Sequence, residues 1–372
     1  MMDAMLPGQH CSKNFSIREA REIVKDLFAP NAAIYWSDFL LSIGLGMFCF
    51  WMVRLAAPFS PAQVASYVVC CLALYRAALF IHELVHLRGG TFGAFRVAWN
   101  VLFGVPFLMP SFLYYTHLAH HARKHYATRD DGEYLPLGAG PPRDILLYLC
   151  QPLLIPLLAV LRFAIFTPIA WISPGFRRFV HRRASSMVMD PSYVRPLPTR
   201  GELRLWRLQE AACFVFAVVA AALLWSGRLP WTLPLQGYLT AVFVIMLNHV
   251  RTLGAHRFRH QGEELSFVDQ LLDSVNYPNH PLIAGLWGPV GLRFHGLHHL
   301  FPSLPYHALA EAHRRLMREL PADSPYRQTE CPSLRIALVE LWRNSRQASV
   351  GVRNSRGTRN VPSPTGPLTT NH

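Results

Sequence analysis

Six long apolar stretches dominate this sequence and limit the folds that it can adopt. They cover residues at about 38–57, 62–81, 97–115, 145–172, 208–226 and 233–250. A helix that crosses a membrane needs about 20 apolar residues, and all six stretches approach that length. Only 16% of the residues are charged, compared with about a quarter in a typical soluble domain. Together these features predict an all-α integral membrane protein.

Histidines form three clusters, which hold eight of the 18 histidines in the chain. The clusters are His82-Glu-Leu-Val-His86, His117-Leu-Ala-His120-His121 and His295-Gly-Leu-His298-His299. Positions i, i+3 and i+4 of a helix lie close together, so each cluster can direct several imidazoles at one point. Two HxxHH patterns would occur by chance in only about one such chain in a thousand. We therefore predict metal ligands, and because eight imidazoles exceed the needs of one ion, two metals.

The positions of the clusters relative to the apolar stretches constrain the topology. The first cluster ends the second stretch and the next cluster follows the third stretch, so a shared metal site requires the third stretch to begin and end on one side. Pro106 and Pro110 in that stretch favour a re-entrant or interfacial helix. The proline-rich fourth stretch is expected to lie in the interface or to fold back as a hairpin. About four transmembrane helices remain.

The distribution of positive charge predicts the orientation in the membrane. The two expected outer turns carry Arg54 and Arg228 and little else, whereas arginines are frequent in the inner segment 177–207. The positive-inside rule then places the histidine clusters and both termini in the cytoplasm. The net charge of +14 fits an anionic membrane surface, because the arginines flank apolar stretches. We predict no nucleic-acid partner.

Three regions are predicted along the chain. Residues 1–33 are expected to form a cytoplasmic segment in which Ser16 to Leu27 make an amphipathic helix. Residues 34–320 are expected to form the membrane domain with the metal site. Residues 321–372 are a basic C-terminal region, predicted to be disordered from about residue 343 because it is rich in Ser, Arg, Pro, Thr and Asn.

The order and spacing of the clusters resemble the integral-membrane fatty acid desaturase family. The run His-Gly-Leu-His-His-Leu-Phe-Pro, from His295 to Pro302, is similar to the third histidine box of that family. The resemblance covers about residues 38–320 and is closest to the bacterial acyl-lipid type. It implies a di-iron centre, molecular oxygen as oxidant and a lipid or fatty acyl substrate. It also implies an external electron donor, which we expect to be a separate ferredoxin or cytochrome type protein because the chain has no His-Pro-Gly-Gly segment.

The same resemblance implies a set of nine ligands. The two irons would be held by His82, His86, His117, His120, His121, His256, His295, His298 and His299. His256 is the preferred ninth ligand because it ends a segment of small residues after the last apolar stretch, as in the family. His249, seven residues earlier on nearly the same helix face, is the rival. His260 and His280 lie in polar loop sequence and are interpreted as surface histidines.

Several other residues are candidates to orient the ligands. Asp269 and Asp273, one helical turn apart, are predicted to hold ligand histidines through hydrogen bonds, with a solvated helix face as the alternative. The acidic residues after the second cluster have the same predicted role; they are Asp130, Asp131 and Glu133. His125 extends the face of the second cluster, with a surface position as the alternative. Asn248 is a candidate to orient a ligand or a bound water, with helix capping or interhelical bonding as the alternative.

Three functions compete for these ligands. The preferred interpretation is an oxygen-dependent acyl-lipid desaturase, and the alternative is a hydroxylase or ketolase with the same di-iron site, because ligand spacing does not determine the fate of the substrate radical. His82-Glu83-Leu-Val-His86 also matches the zinc-protease motif HExxH, which makes an intramembrane metalloprotease a minor alternative. That alternative leaves both HxxHH clusters unexplained. A transporter is disfavoured because the clusters lie at the ends of the apolar stretches.

Overall fold

A computed structural model describes residues 15–87 and 92–357, with side chains up to residue 350. The described part of the chain is helical and contains three isolated β-bridges but no strand, in agreement with the predicted all-α fold. The α-helices are, in chain order, α1 (Ile17–Ile23), α2 (Ala32–Leu55), α3 (Pro61–His86), α4 (Gly93–Trp99), α5 (His117–His120), α6 (Pro142–Cys150), α7 (Ile155–Val160), α8 (Thr167–Ile172), α9 (Pro174–Arg183), α10 (Arg200–Trp225), α11 (Thr232–Leu253), α12 (Phe267–Asp273), α13 (Pro281–Trp287), α14 (His295–Leu300), α15 (Leu309–Glu319) and α16 (Leu334–Gly357). The 3-10 helices are Lys25–Leu27, Ser111–Tyr114, Gln151–Leu153, Tyr306–Ala308 and Pro325–Thr329, and the π-helices are Asn100–Gly104 and Leu161–Phe166.

Five helical segments of the described chain are long and apolar enough to cross a membrane. They are α2, α3, the continuous segment Ile155–Ile172, α10 and α11. The outward sides of these helices expose large apolar side chains such as Leu41, Ile172 and Leu208. Exposed apolar side chains at this density fit contact with lipid, since a soluble protein rarely exposes large continuous apolar patches. The chain is therefore built as a membrane protein.

Local capping explains where three of the long helices begin. Asn31 accepts hydrogen bonds from two backbone N–H groups of the first turn of α2. Ser60 caps α3, and Pro61 follows it at the first helical position, where proline has no N–H to leave unpaired. Thr199 and Glu202 form a reciprocal capping box at the start of α10. These caps fix the residues at which α2, α3 and α10 begin. The start of α3 in turn determines where His82 and His86 lie at its other end.

The third and fourth apolar stretches are broken into short pieces. The third consists of α4, a π-helix and a 3-10 helix that follows Pro110, and none of these is long enough to span a membrane. This agrees with the predicted re-entrant or interfacial position. The fourth stretch runs through α6, α7 and α8. Its part Ile155–Ile172 has the length and composition of a membrane span, whereas the sequence analysis predicted an interfacial helix or a hairpin there.

The N-terminal end of the described chain packs on α15, and the C-terminal helix α16 packs on α6 and α11. α1, capped by Ser16, buries Ala20 and packs against α15, and the Arg315 guanidinium donates to Asp26 at 2.7 Å. The helix α16 extends to residue 357, so residues 343–357 are helical where the sequence predicted disorder. The rest of the predicted disordered tail, like most of the segment before Phe15, lies outside the described residues.

Candidate metal centre

The structure brings all nine predicted ligand histidines together, in two groups. Within each group the candidate ligand nitrogens lie within 4.8 Å of one another. The first group consists of His82, His86, His117, His121 and His298, and the second group consists of His120, His256, His295 and His299. All nine side chains are buried or half-buried, although they come from four separate parts of the sequence.

The helical period explains how each HxxHH box serves both groups. Positions i and i+4 lie about 40° apart around a helix, while position i+3 is rotated to the other side. In the box that starts at His117, the i and i+4 histidines enter the first group and the i+3 histidine enters the second. In the box that starts at His295 the assignment is reversed. His82 and His86, one turn apart at the end of α3, complete the first group, and His256 completes the second.

Short contacts between ring nitrogens show that the donor set fits metal ions. In the first group, His298 Nε2 lies 3.2 Å from His86 Nε2 and 3.1 Å from His121 Nε2. In the second group, His256 Nε2 lies 3.2 Å from His120 Nε2 and 2.9 Å from His295 Nε2. Several nitrogen lone pairs that converge on one point repel one another unless a cation lies between them. Each group therefore fits one imidazole-binding cation.

His82 gives a second sign that the donors fit a metal. Both of its ring nitrogens are buried and have no hydrogen-bond partner in the described chain. A buried imidazole without any partner loses the hydrogen bonds that water would supply, and such groups are rare in native proteins. Coordination of a cation by one of these nitrogens removes that cost.

Carboxylates orient one histidine in each group. His117 Nδ1 lies 2.8 Å from Glu133 Oε2, and His120 Nδ1 lies 2.9 Å from Asp131 Oδ2. The Asp131 carboxylate is itself fixed by the backbone N–H groups of Ala127 and Glu133, at 3.0 and 2.9 Å. A carboxylate accepts the proton of Nδ1, which leaves the Nε2 lone pair directed at the metal position. Asp131 and Glu133 thus occupy the orienting positions predicted from the sequence, whereas Asp130 is exposed.

A hydrogen-bonded chain orients His256. The Tyr126 hydroxyl donates to Asp273 Oδ2 at 2.7 Å and lies 2.8 Å from His256 Nδ1. Since the hydroxyl proton goes to the carboxylate, Nδ1 of His256 donates to the tyrosine oxygen, and Nε2 is again free for the metal. Asp273 acts here as predicted, through a tyrosine that the sequence did not single out. No periodic or spacing signal marks Tyr126, because an irregular loop carries it.

Asn276 anchors the helix that carries the third box. Its side-chain oxygen accepts from Leu297 N at 2.9 Å, and its side-chain nitrogen donates to Thr329 Oγ1 at 2.7 Å. Its backbone forms bridges to Phe294 and Glu330. A Cβ atom at Gly296 would lie 3.0 Å from the Asn276 side chain, so the close approach favours glycine. Asn276 was also missed as a site residue from the sequence.

Burial determines the protonation of the histidines outside the membrane-spanning helices. It lowers the pKa values of His121, His295 and His299 well below 6.5, and the neighbouring imidazoles lower them further. These rings are therefore neutral near pH 7, which metal binding requires. Burial is also the largest single influence on the pKa of His120 and lowers it, but the charge and hydrogen bond of Asp131, together with the charges of Glu133 and Asp273, raise this pKa above its usual value. Burial raises the pKa of Glu133 to about 8.

Four further candidates lie outside both groups. His249 Nδ1 lies 3.0 Å from Ile245 O, and the ring stacks on Tyr148, so the rival for the ninth position points elsewhere. Asn248 accepts a hydrogen bond from Arg251 at 2.8 Å, which is an intrahelical contact.

Asp269 and His125 also lie outside the two histidine groups. Ser266 caps α12 by accepting from the Asp269 N–H group, and the Asp269 side chain accepts from the Ser266 hydroxyl at 2.6 Å instead of holding a histidine. His125 lies on the turn after the second box, 3.9 Å from Asp130. His280 is exposed and His260 pairs with Glu263 at 2.9 Å, as expected for surface histidines.

The glutamate of the HExxH pattern points away from the metal positions. Glu83 Oε2 accepts from the Tyr35 hydroxyl and from Tyr306 N, both outside the two groups. A general base in a zinc protease must reach the metal-bound water. The contacts of Glu83 are instead those of a buried structural group that ties α3 to α2 and to the segment before α15.

Comparisons with known proteins agree with this arrangement. Residues 58–330 match the family model described as "Fatty acid desaturase", a range that includes all nine histidines. The chain is 39% identical over 338 residues to the ceramide hydroxylase of Caulobacter vibrioides, a match that covers 91% of this chain and 96% of that relative. No solved structure matches the chain.

Proposed function

Because this chain belongs to the fatty acid desaturase family, we propose that it is a membrane oxidoreductase that hydroxylates a ceramide-type lipid. The observation that carries the proposal is the nearly full-length similarity to a ceramide hydroxylase, in a chain whose histidines form two cation-sized groups. The sequence alone favoured desaturation, with hydroxylation as the alternative. The similarity reverses that order, and desaturation of an acyl chain becomes the second candidate.

We propose that the nine histidines hold two iron ions, one in each group. Bound iron supplies the activation of molecular oxygen that hydroxylation of an unactivated carbon requires. The overall reaction places one oxygen atom of O₂ in a C–H bond of the lipid and releases the other as water, with two electrons and two protons from outside. The protein contributes the fixed orientation of the imidazoles through Asp131, Glu133, Tyr126 and Asp273.

The proposed reaction takes place at the membrane boundary. Both histidine groups lie where α3 and α11 end, so a lipid chain can reach them from the bilayer. We propose that this boundary is the cytoplasmic one and that both termini are cytoplasmic, in accordance with the arginine distribution.

The electrons would come from a separate ferredoxin or cytochrome type protein. α9 and the start of α10 expose a set of basic side chains: Arg178, Arg182, Arg183, Arg200, Arg204 and Arg207. An acidic electron donor is expected to dock on such a surface, because complementary charge accelerates association.

Lipid analysis tests the proposed function. The full chain is expressed in a bacterial host that is supplied with ceramide, and the lipids are compared by mass spectrometry with those from the His298→Ala variant. We expect ceramide that has gained one oxygen atom, only with the wild-type chain. Loss of two hydrogen atoms without gain of oxygen would establish the desaturase alternative, and unchanged lipids in the presence of a reduced donor would refute both.

A further inference from the structure

A buried polar cluster lies beside the first histidine group, and several of its atoms have no role in metal binding. Arg251 and His249 come from the last turns of α11, Tyr148 from α6 and Glu133 from the loop after the second box. Tyr148 stacks on His249 with ring centroids 4.2 Å apart. The charges of Arg251 and Glu133 both influence the pKa of Tyr148, so these groups lie near one another.

Arg251 is the most unusual member of the cluster. Only 7% of it is exposed, it lies in a helix of membrane-spanning length, and no described carboxylate forms an ion pair with it. One terminal nitrogen donates to Asn248, while Nε is buried without a hydrogen-bond partner. A buried guanidinium is costly unless its donors are used, and ionisable side chains inside membrane helices typically mark functional sites.

Arg162, in the π-helix Leu161–Phe166, shows the arrangement of a structural buried arginine. Its Nε donates to Ala184 O at 2.7 Å, and its terminal nitrogens donate to Thr167 and Ser185 at 2.8 and 3.1 Å. It also forms an ion pair with the buried carboxylate of Glu210. Each nitrogen of this structural arginine thus has a hydrogen-bond partner. The unpaired Nε of Arg251 therefore indicates a role other than a structural one.

His249 supplies a free acceptor. Its Nδ1 lies 3.0 Å from Ile245 O, and since a carbonyl oxygen only accepts, Nδ1 carries the proton. Nε2 therefore has a lone pair. That atom is buried, has no partner, and belongs to a side chain that is 7% exposed.

Glu133 supplies a second free polar atom and links the cluster to the metal position. Its Oε2 is used by His117, while its Oε1 is buried without a partner. The Tyr114 ring lies next to this carboxyl group and stacks on His117 with centroids 4.8 Å apart. A ligand group that binds Oε1 is therefore separated from His117, a member of the first histidine group, only by the Glu133 carboxyl group.

We propose that Arg251, His249 and Glu133 bind the polar part of the lipid substrate and recognise an amide together with a hydroxyl group. The Arg251 Nε–H group is a donor for a carbonyl or hydroxyl oxygen, and His249 Nε2 is an acceptor for an N–H or O–H group. Glu133 Oε1 accepts when the carboxyl group is ionised and donates when it is protonated, so it pairs with either kind of group. A ceramide offers both kinds of group at its linkage. The ester linkages of a glycerolipid offer only acceptors and would leave His249 Nε2 unpaired. A site that requires such bonds rejects ligands that lack them by a large factor.

The lipid class in this inference rests on the proposed function, so the test uses binding and not turnover. Equilibrium binding of a radiolabelled ceramide and of a radiolabelled phosphatidylcholine with the same acyl chains, which has no hydroxyl or N–H donor, is measured under argon with the full-length, iron-loaded protein. Arg251→Met is expected to weaken ceramide binding about tenfold or more, as loss of a charged hydrogen bond does. The phosphatidylcholine cannot pair with His249 Nε2 and is not expected to occupy the subsite, so its binding is expected to change by about twofold at most. Arg228→Met, in an exposed turn, is the matched control and is expected to change neither.

His249→Phe decides the question independently, because phenylalanine keeps the stack on Tyr148 and removes Nε2. We expect it to weaken ceramide binding about fivefold, with iron content unchanged. If Arg251→Met does not fold, ceramide binding is measured with His249→Phe and Arg251→Lys instead. Equal weakening for both lipids, or unchanged ceramide binding, would overturn the subsite. Selective ceramide binding without any hydroxylated product in air with a reduced donor would refute the proposed function and leave the subsite standing.

Discussion

The two histidine groups differ in what holds them in place. In the first group, the pair from α3 depends on the regular geometry of a long helix, and within the described residues only His117 has a carboxylate partner. In the second group, His120 is bonded to Asp131, and His256 is bonded through Tyr126 to Asp273. The first group is thus positioned mainly by a helix and the second mainly by hydrogen-bonded carboxylates.

This difference shows why His256 needs more support than His82. A histidine one turn from another on a helix is already directed at the shared metal position. His256 follows α11 on an irregular segment, whose backbone is fixed by a bridge to Ser274 and whose ring is fixed by Tyr126. Substitution of an orienting residue is therefore expected to affect the second group more than the first.

Loss of a ligand from each group is expected to have the largest effect. His120→Ala removes one of four nitrogens from the second group, and His298→Ala removes one of five from the first. We expect activity below about 1% of wild type in both, because the metals act together, but a more complete loss of iron from His120→Ala. Iron analysis and lipid products are measured on membranes that contain equal amounts of protein. Full activity in either variant would contradict the assignment.

Changes to the carboxylates test the comparison more directly. Asp131→Asn keeps the size of the side chain but replaces the ionised acceptor of His120, and we expect about 10- to 100-fold weaker binding of one iron. Glu133→Gln is the matched change at the first group, where four other histidines remain, and we expect about a tenfold effect or less. Chelator titration followed by iron analysis measures both. A larger loss in Glu133→Gln than in Asp131→Asn would reverse the comparison.

Removal of the Tyr126 hydroxyl is expected to have a smaller effect. Tyr126→Phe breaks the chain from His256 to Asp273 but leaves these two side chains 3.5 Å apart, where a direct contact can replace it. We predict about three- to tenfold weaker iron binding, the value of a single hydrogen bond. Addition of Asp273→Ala in the same chain is expected to enlarge the effect. Additive losses in the double variant would show that the two residues do not act through one chain.

Glu83→Gln is expected to have the smallest effect. The amide oxygen of glutamine can still accept from the Tyr35 hydroxyl and from Tyr306 N, and Glu83 contacts neither histidine group. We predict iron content and hydroxylated product within about twofold of wild type. The zinc-protease alternative requires Glu83 as the general base, so this change would abolish the enzyme's activity completely. An assay of hydroxylated lipid from the single variant therefore separates the two functions.

Most of the metal centre could be predicted from the sequence because ligand spacing follows the helical period. His82 with His86, and the two HxxHH boxes, are regular patterns whose geometry is known before the fold. The choice of His256 over His249 came from family resemblance, and the structure brings only His256 into a group. The orienting role of Asp273 was predicted. For Asp269 the alternative, a solvated helix face, fits the structure, because this residue is exposed and bonded to Ser266 at the start of α12.

Two of the residues that were missed act through contacts distant in sequence. Tyr126 meets Asp273 across 147 positions, and Asn276 reaches Thr329 across 53. Arg251 was not recognised because an arginine at the end of an apolar stretch resembles a residue of the positive-inside rule. Only its burial and its free Nε distinguish it. The fold class was predictable from the length of the apolar stretches. The span-length segment in the fourth stretch was not predictable, because its prolines are accommodated by a succession of short helices and a π-helix.

The central claim, that nine histidines hold two iron ions in two unequal groups, is tested most directly by metal stoichiometry. The full-length protein is purified in detergent from cells grown with iron, and iron and zinc are measured per chain together with the His120→Ala and His298→Ala variants. The account predicts two irons per wild-type chain, negligible zinc, and selective loss of one iron when a single group is altered. One zinc per chain, or a metal content that neither variant changes, would contradict it.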